Sequence, residues 1–104
     1  MSATAIPCRT PRRQRTWNKT GGRCYYCGVQ LIGDPFGRVP RPLSWMNIDH
    51  AHPKALGGGD RLANRLPACT ACNCSKGKLT PHEYRRRLMR QRGEIVLFYG
   101  EVCA

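Results

Sequence analysis

Four cysteines stand as two C-x2-C pairs, Cys24/Cys27 and Cys69/Cys72. Each pair can aim two thiolates at one ion, and two pairs complete the closed tetrahedral set of a structural Zn2+ site. Such a set leaves no open position, so zinc held there would brace the chain and take no part in a reaction. Gly28, directly after Cys27, permits the tight turn of a zinc knuckle. About forty residues separate the pairs, against the roughly 15 to 20 of compact zinc modules, so a whole structural unit is inserted between knuckles that pin its ends together. Cys8, Cys74 and Cys103 are left over. Cys74 is either an alternative to Cys72 or, as expected here, a free buried thiol.

The insert holds the polar pair Asp49-His50, the glycine run Gly57-Gly58-Gly59-Asp60 and Asn64, and Asn73 follows the second knuckle. A carboxylate and an amide oxygen are hard donors that suit Mg2+ or Mn2+ with several waters retained. Histidine, with an ordinary pKa of roughly 6.5, is largely neutral near pH 7 and able to take a proton from water. Hydrolysis of a phosphodiester needs such groups: a nucleophilic water, positive charge at the phosphoryl oxygens and help for the leaving oxygen. A protein that only binds phosphates gains nothing from a lone carboxylate beside a histidine, which repels the polyanion unless a cation intervenes. Two metals are therefore expected, zinc on the thiolates and Mg2+ or Mn2+ on the oxygens. His52 and His82 are expected to be structural or solvent-facing.

The charge fits a polyanionic partner. Eighteen Lys and Arg against six Asp and Glu leave a formal net charge of +12 on 104 residues. Four zinc-bound thiolates would lower it by only about two, and with no amphipathic membrane helix evident the simplest partner is nucleic acid. Fourteen of the basic residues are arginines, which match phosphate oxygens bidentately, although a GC-rich genome yields the same bias. No apolar run reaches the roughly 20 residues of a membrane span and no secretory leader opens the chain, so a cytoplasmic protein is expected. With 11 Gly and 8 Pro little chain remains for an apolar core, and a metal staple is the expected supplement.

The elements that must position these groups are short. Thr10 can cap a helix with Pro11 at its first position, Trp17 as an inward anchor and Gly21 or Gly22 as terminator, unless this basic arm is disordered up to Trp17. Residues 33 to 44 read as an irregular connection, Ser44 to His50 as a strand ending on the polar pair, Ala51 to Leu62 as a loop, and Asn64 to Ala68 as an antiparallel second strand. A short helix after the second knuckle should end near Gly77. Thr80-Pro81-His82-Glu83 has the form of a capping box, which starts a helix running to about Gln91 and closed by Gly93. Glu94 to Tyr99 suits a terminal strand or an extended packed segment. Tyr25, Tyr26 and Trp45 are expected to pack around the zinc. The division expected is a basic arm (1–16), a zinc-stapled core (17–79), and an arginine-rich helix with its tail (80–104), whose Arg85, Arg86, Arg87 and Arg90 are candidate phosphate contacts.

Asp49-His50-x-x-Pro53, Gly57-Gly58, Asn64-x-Leu66 and Cys69-x-x-Cys72-Asn73-x-x-Lys76-Gly77, preceded by Cys24-x-x-Cys27-Gly28, resemble the zinc-containing branch of the HNH endonuclease family. The resemblance implies a small α+β domain of the ββα-metal (His-Me finger) type, a two-stranded hairpin and a helix around one divalent ion. It implies Asp49 and Asn73 as metal ligands, His50 as general base, and Asn64 as the residue that orients the His50 segment. Asn73 stands where many members have histidine, and Ala51-His52 replaces an apolar β-branched residue, which brings a second imidazole into consideration as base. Lys76 either contacts a phosphate near the scissile bond or is solvated. The implied activity is metal-dependent cleavage of double-stranded DNA. A small chain of this type is reminiscent of phage-encoded members that assist genome packaging, with a terminase as protein partner. A non-catalytic zinc-dependent DNA-binding module and an RNA-associated basic protein are the alternatives.

Overall fold

The computed structural model describes residues 8–34 and 42–102. Cys103, the first residues of the basic arm and most of the expected irregular connection lie outside them. Helix α1 (Pro11–Asn18) starts as its sequence dictates, with Thr10 Oγ1 accepting the Arg13 N–H and Pro11 in the first turn. It ends against Gly22, whose φ of +87° suits glycine and where a Cβ would stand 2.5 Å from the Trp17 ring. The Trp17 ring thereby packs on the glycine turn that leads from the helix toward the first knuckle.

Strands β1 (Met46–His50) and β2 (Arg65–Cys69) form an antiparallel hairpin with Met46 opposite Cys69, Ile48 opposite Pro67, and His50 opposite Arg65. Pro67 is tolerated because its carbonyl accepts the Tyr25 N–H, so its edge faces the first knuckle and no ladder donor is missing toward β1. β1 begins two residues later than expected. The expected loop between the strands carries two single 3-10 turns, Lys54–Leu56 and Leu62–Asn64, so Asn64 precedes β2 instead of opening it.

Helix α2 (Thr70–Lys76) follows β2 directly and lies along β1. Thr70 and Asn73 meet Asn47 while Lys76 meets Asp49, so residues three apart on the helix match residues two apart on the strand. Helix α3 (Pro81–Arg92) has the expected capping box between Thr80 and Glu83. Its Tyr84 and Leu88 enter the core beside Cys24, Tyr26, Leu31, Met46, Ala68, Cys69, Val96 and Phe98.

Residues 94–98 form an extended packed segment, with Val96 and Phe98 buried and Ile95 and Leu97 exposed, before a final turn α4 (Tyr99–Val102). The Tyr99 and Gly100 N–H groups donate to the Tyr26 and Tyr25 carbonyls, which fixes this tail on the knuckle. Phe98 and Tyr26 meet edge to face at 4.7 Å, and Tyr84 closes the cluster 5.4 Å from Tyr26. The expected division at residue 16/17 falls inside α1, and the core spans the one expected at 79/80. No helix among the described residues is long and apolar enough to cross a membrane.

Candidate functional site

The sulfur atoms of Cys24, Cys27, Cys69 and Cys72 all lie within 4.8 Å of one another. Cys27 and Cys69 sulfurs are 3.8 Å apart, close to the ~3.8 Å edge of a tetrahedron built on Zn–S bonds of about 2.3 Å. Backbone N–H groups of Cys69 and Cys72 point at the sulfurs of Cys24 and Cys69, 3.3 and 3.4 Å away. The Cys72 contact holds the Cys24 thiol down at about 4, so one thiolate is already favoured in the cluster. The same contact pushes Cys72 up, and burial raises Cys69 to about 11. The donors and their spacing fit structural zinc. Cys74 is exposed and outside this cluster, so the expected buried thiol is corrected to a surface one.

Tyr26, between the two cysteines of the first knuckle, donates its hydroxyl to Asp49 Oδ2. Burial first, and then the Asp49 charge, push the Tyr26 pKa above the tyrosine range, so it stays a donor. The other carboxylate oxygen of Asp49 takes the Lys76 ammonium at 3.0 Å, and both side chains are almost wholly buried. Lys76 Nζ also lies 3.4 Å from the His50 carbonyl. Lys76 is therefore neither solvated nor turned outward toward a phosphate: α2 carries it on the face of Asn73, which looks onto β1.

The His50 imidazole points away from this strip, as alternation along β1 requires. Its Nε2 lies 2.7 Å from Asp60 Oδ1, and the same oxygen takes the Arg12 guanidinium of α1 at 2.5 Å. Asn64 fixes the loop behind. Its Oδ1 accepts the His52 N–H at 2.8 Å, and its Nδ2 donates to the carbonyls of His52 and Gly59 at 3.0 and 2.7 Å. A side chain on Gly58 would collide with the His52 carbonyl at 1.7 Å. Asn64 thus orients the turn leaving His50, while the His52 ring is spent on the Leu56 carbonyl at 3.0 Å.

Asn73 is on the same strip as Asp49, but its amide meets Asn47 Oδ1 at 3.4 Å. The carboxylate and the two amides offer hard oxygens of the kind a divalent cation takes. The donor types fit such an ion, but Lys76 and the Tyr26 hydroxyl already take the two Asp49 oxygens, so an ion bound there would compete with Lys76.

A family model for HNH endonucleases matches residues 24–79, from the first knuckle to the end of α2 and just beyond. The chain belongs to the HNH endonuclease family. No curated protein matches it. As an HNH protein it has the hairpin and following helix of the fold, its four-cysteine cluster is consistent with the zinc-binding branch, and membership supports a nuclease or DNA-binding role.

Of the candidate phosphate contacts in this HNH chain, Arg85 bonds Glu101 and lies over the Phe98 ring, and Arg87 bonds the Ser75 carbonyl and lies over Tyr84. Arg86 and Arg90 are exposed and line a shallow depression with Leu79 and Glu83. The structure adds contacts that sequence reasoning did not assign: Tyr26 and Lys76 on Asp49, Asp60 on His50 with Arg12 on Asp60, and Asn47 on Asn73. Arg65 is buried opposite His50, and among the described residues its Nε has no acceptor.

Proposed function

We propose that this chain is a metal-dependent DNA endonuclease in which His50 is the general base. The observation that carries this reading is the placement of His50 at the loop end of the hairpin, opposite Arg65, with one ring nitrogen held and Asn64 fixing the turn that follows. His50 takes the proton of the attacking water. Asp49 and Asn73, with Asn47 beside them, are the residues that would hold Mg2+ or Mn2+. Such an ion supplies charge to the phosphoryl oxygen and to the leaving 3' oxygen. Exposed arginines on α1 and α3 draw the duplex to the site with little sequence preference. On the family resemblance, the chain is read as phage-encoded and acting in genome packaging, beside a terminase in the bacterial cytoplasm.

Plasmid nicking by the zinc-loaded protein tests this. Cleavage should require Mg2+ or Mn2+, and His50→Ala should fold, keep zinc and bind DNA while cleavage falls by about two orders of magnitude or more. Asn73→Ala should also lose cleavage, partly recovered at high Mn2+, and His50→Ala should not recover. A His50→Ala protein that cuts like the parent overturns the assignment.

One observation favours a second reading, a non-catalytic DNA-binding module. The lone carboxylate that argued against a mere binder has its cation in Lys76, so Asp49 can be structural. Failure to nick in any divalent metal, with tight salt-sensitive duplex binding, selects that reading.

A further inference from the structure

We infer that Asp60 is the positioning residue of His50, fixing its tautomer so that Nδ1 is the atom that accepts the water's proton. This rests on His50 being the base. Asp60 Oδ1 lies 2.7 Å from His50 Nε2, and among the described residues no hydrogen bond engages Nδ1. The Arg12 guanidinium is 2.5 Å from the same oxygen. The contacts with His50 and then Arg12 hold the Asp60 carboxyl well below the ordinary carboxylate range, so it is an ionised group that can only accept. A neutral imidazole has one N–H, and an acceptor-only partner at Nε2 requires it there, which leaves the Nδ1 lone pair for the substrate water.

Three separate segments converge on this contact. Asp60 follows the glycine run, Arg12 comes from α1, and Asn64 bonds the Gly59 carbonyl immediately before Asp60. The loop is thus anchored next to the carboxylate instead of leaving it to find His50 by chance. The pair is exposed enough that it adds little to stability. Its value lies in orientation, where a small misplacement of a reacting group costs up to about a hundredfold in rate.

The test uses full-length zinc-loaded protein with 15N-labelled histidine, at a pH where imidazoles are neutral. His50 should show its proton on Nε2, protected from exchange, and Asp60→Ala should lose that protected signal. A parent protein with the proton on Nδ1 overturns the inference. Cleavage gives an independent reading: Asp60→Ala should cost about tenfold or more in kcat with unchanged DNA affinity, Asp60→Glu should recover part of it, and Asp60→Ala should cost nothing further in a His50→Ala background. Should Asp60→Ala cut at the parent rate while His50→Ala is inactive, the base assignment stands and the role of Asp60 falls. If instead His50→Ala remains active, the base assignment itself falls.

Discussion

Lys76 Nζ lies 3.0 Å from Asp49 Oδ1, an ion pair whose two side chains are almost fully removed from water, with the Tyr26 hydroxyl on the other carboxylate oxygen. Lys76→Met removes the counter-charge and leaves the buried Asp49 carboxyl without its cation, a loss of about 3–5 kcal/mol for comparable pairs. The melting temperature of the zinc-loaded variant should fall well below the parent's. Adding Mg2+ or Mn2+ should restore part of it if the carboxylate accepts a divalent ion. Equal melting of parent and variant without divalent metal would show the pair to be of no consequence.

The hairpin, the helix after the second knuckle and the capping box at Thr80 were legible because each has a local cause: β-branched and aromatic residues, a knuckle, and a Thr-Pro-x-Glu start. The inward turn of Lys76 had a readable signal in its spacing of three from Asn73, which puts both on one helical face. It was outweighed by the habit of lysine to stay in water. Asp60 had none, since its partners His50 and Arg12 are 10 and 48 residues away and only the folded loop brings them together. Phe98 likewise entered the core through a tail whose sequence allowed either a strand or an extended segment.

Zinc should be needed for the fold itself. The thiolates join the segment before β1 to the β2–α2 junction, and Tyr26 of the first knuckle holds Asp49, so loss of metal frees both the hairpin and its carboxylate. Metal analysis should give one Zn2+ per chain, and Cys69→Ser or chelation should lower the melting temperature sharply. Unchanged melting after complete removal of zinc would refute the staple.

The capping box gives α3 an acid-sensitive end. Glu83 accepts the Thr80 N–H at 2.9 Å, and that bond holds its pKa below the ordinary glutamate value. The contribution of a depressed carboxylate is complete above the unfolded value of about 4.3 and disappears as pH falls through the folded one. The melting difference between parent and Glu83→Ala, measured from pH 7 downward, should therefore shrink only below about pH 4. A difference that persists unchanged in strong acid would assign the effect to packing.

The last prediction separates arginines that hold the fold from arginines left for DNA. Arg85 and Arg87 are engaged by Glu101, Ser75 and two aromatic rings, so their loss should lower stability before it alters binding. Arg86 and Arg90 are exposed on α3, and each phosphate neutralised contributes about one unit to the slope of log affinity against log salt. Arg86→Ala with Arg90→Ala should leave melting unchanged, weaken duplex binding for every sequence alike, and reduce that slope by up to about two. Arg85→Ala should do the reverse, melting earlier with a nearly unchanged slope. If the double variant of Arg86 and Arg90 keeps the parent slope, the duplex lies elsewhere, and the basic face of α1 becomes the surface to mutate next.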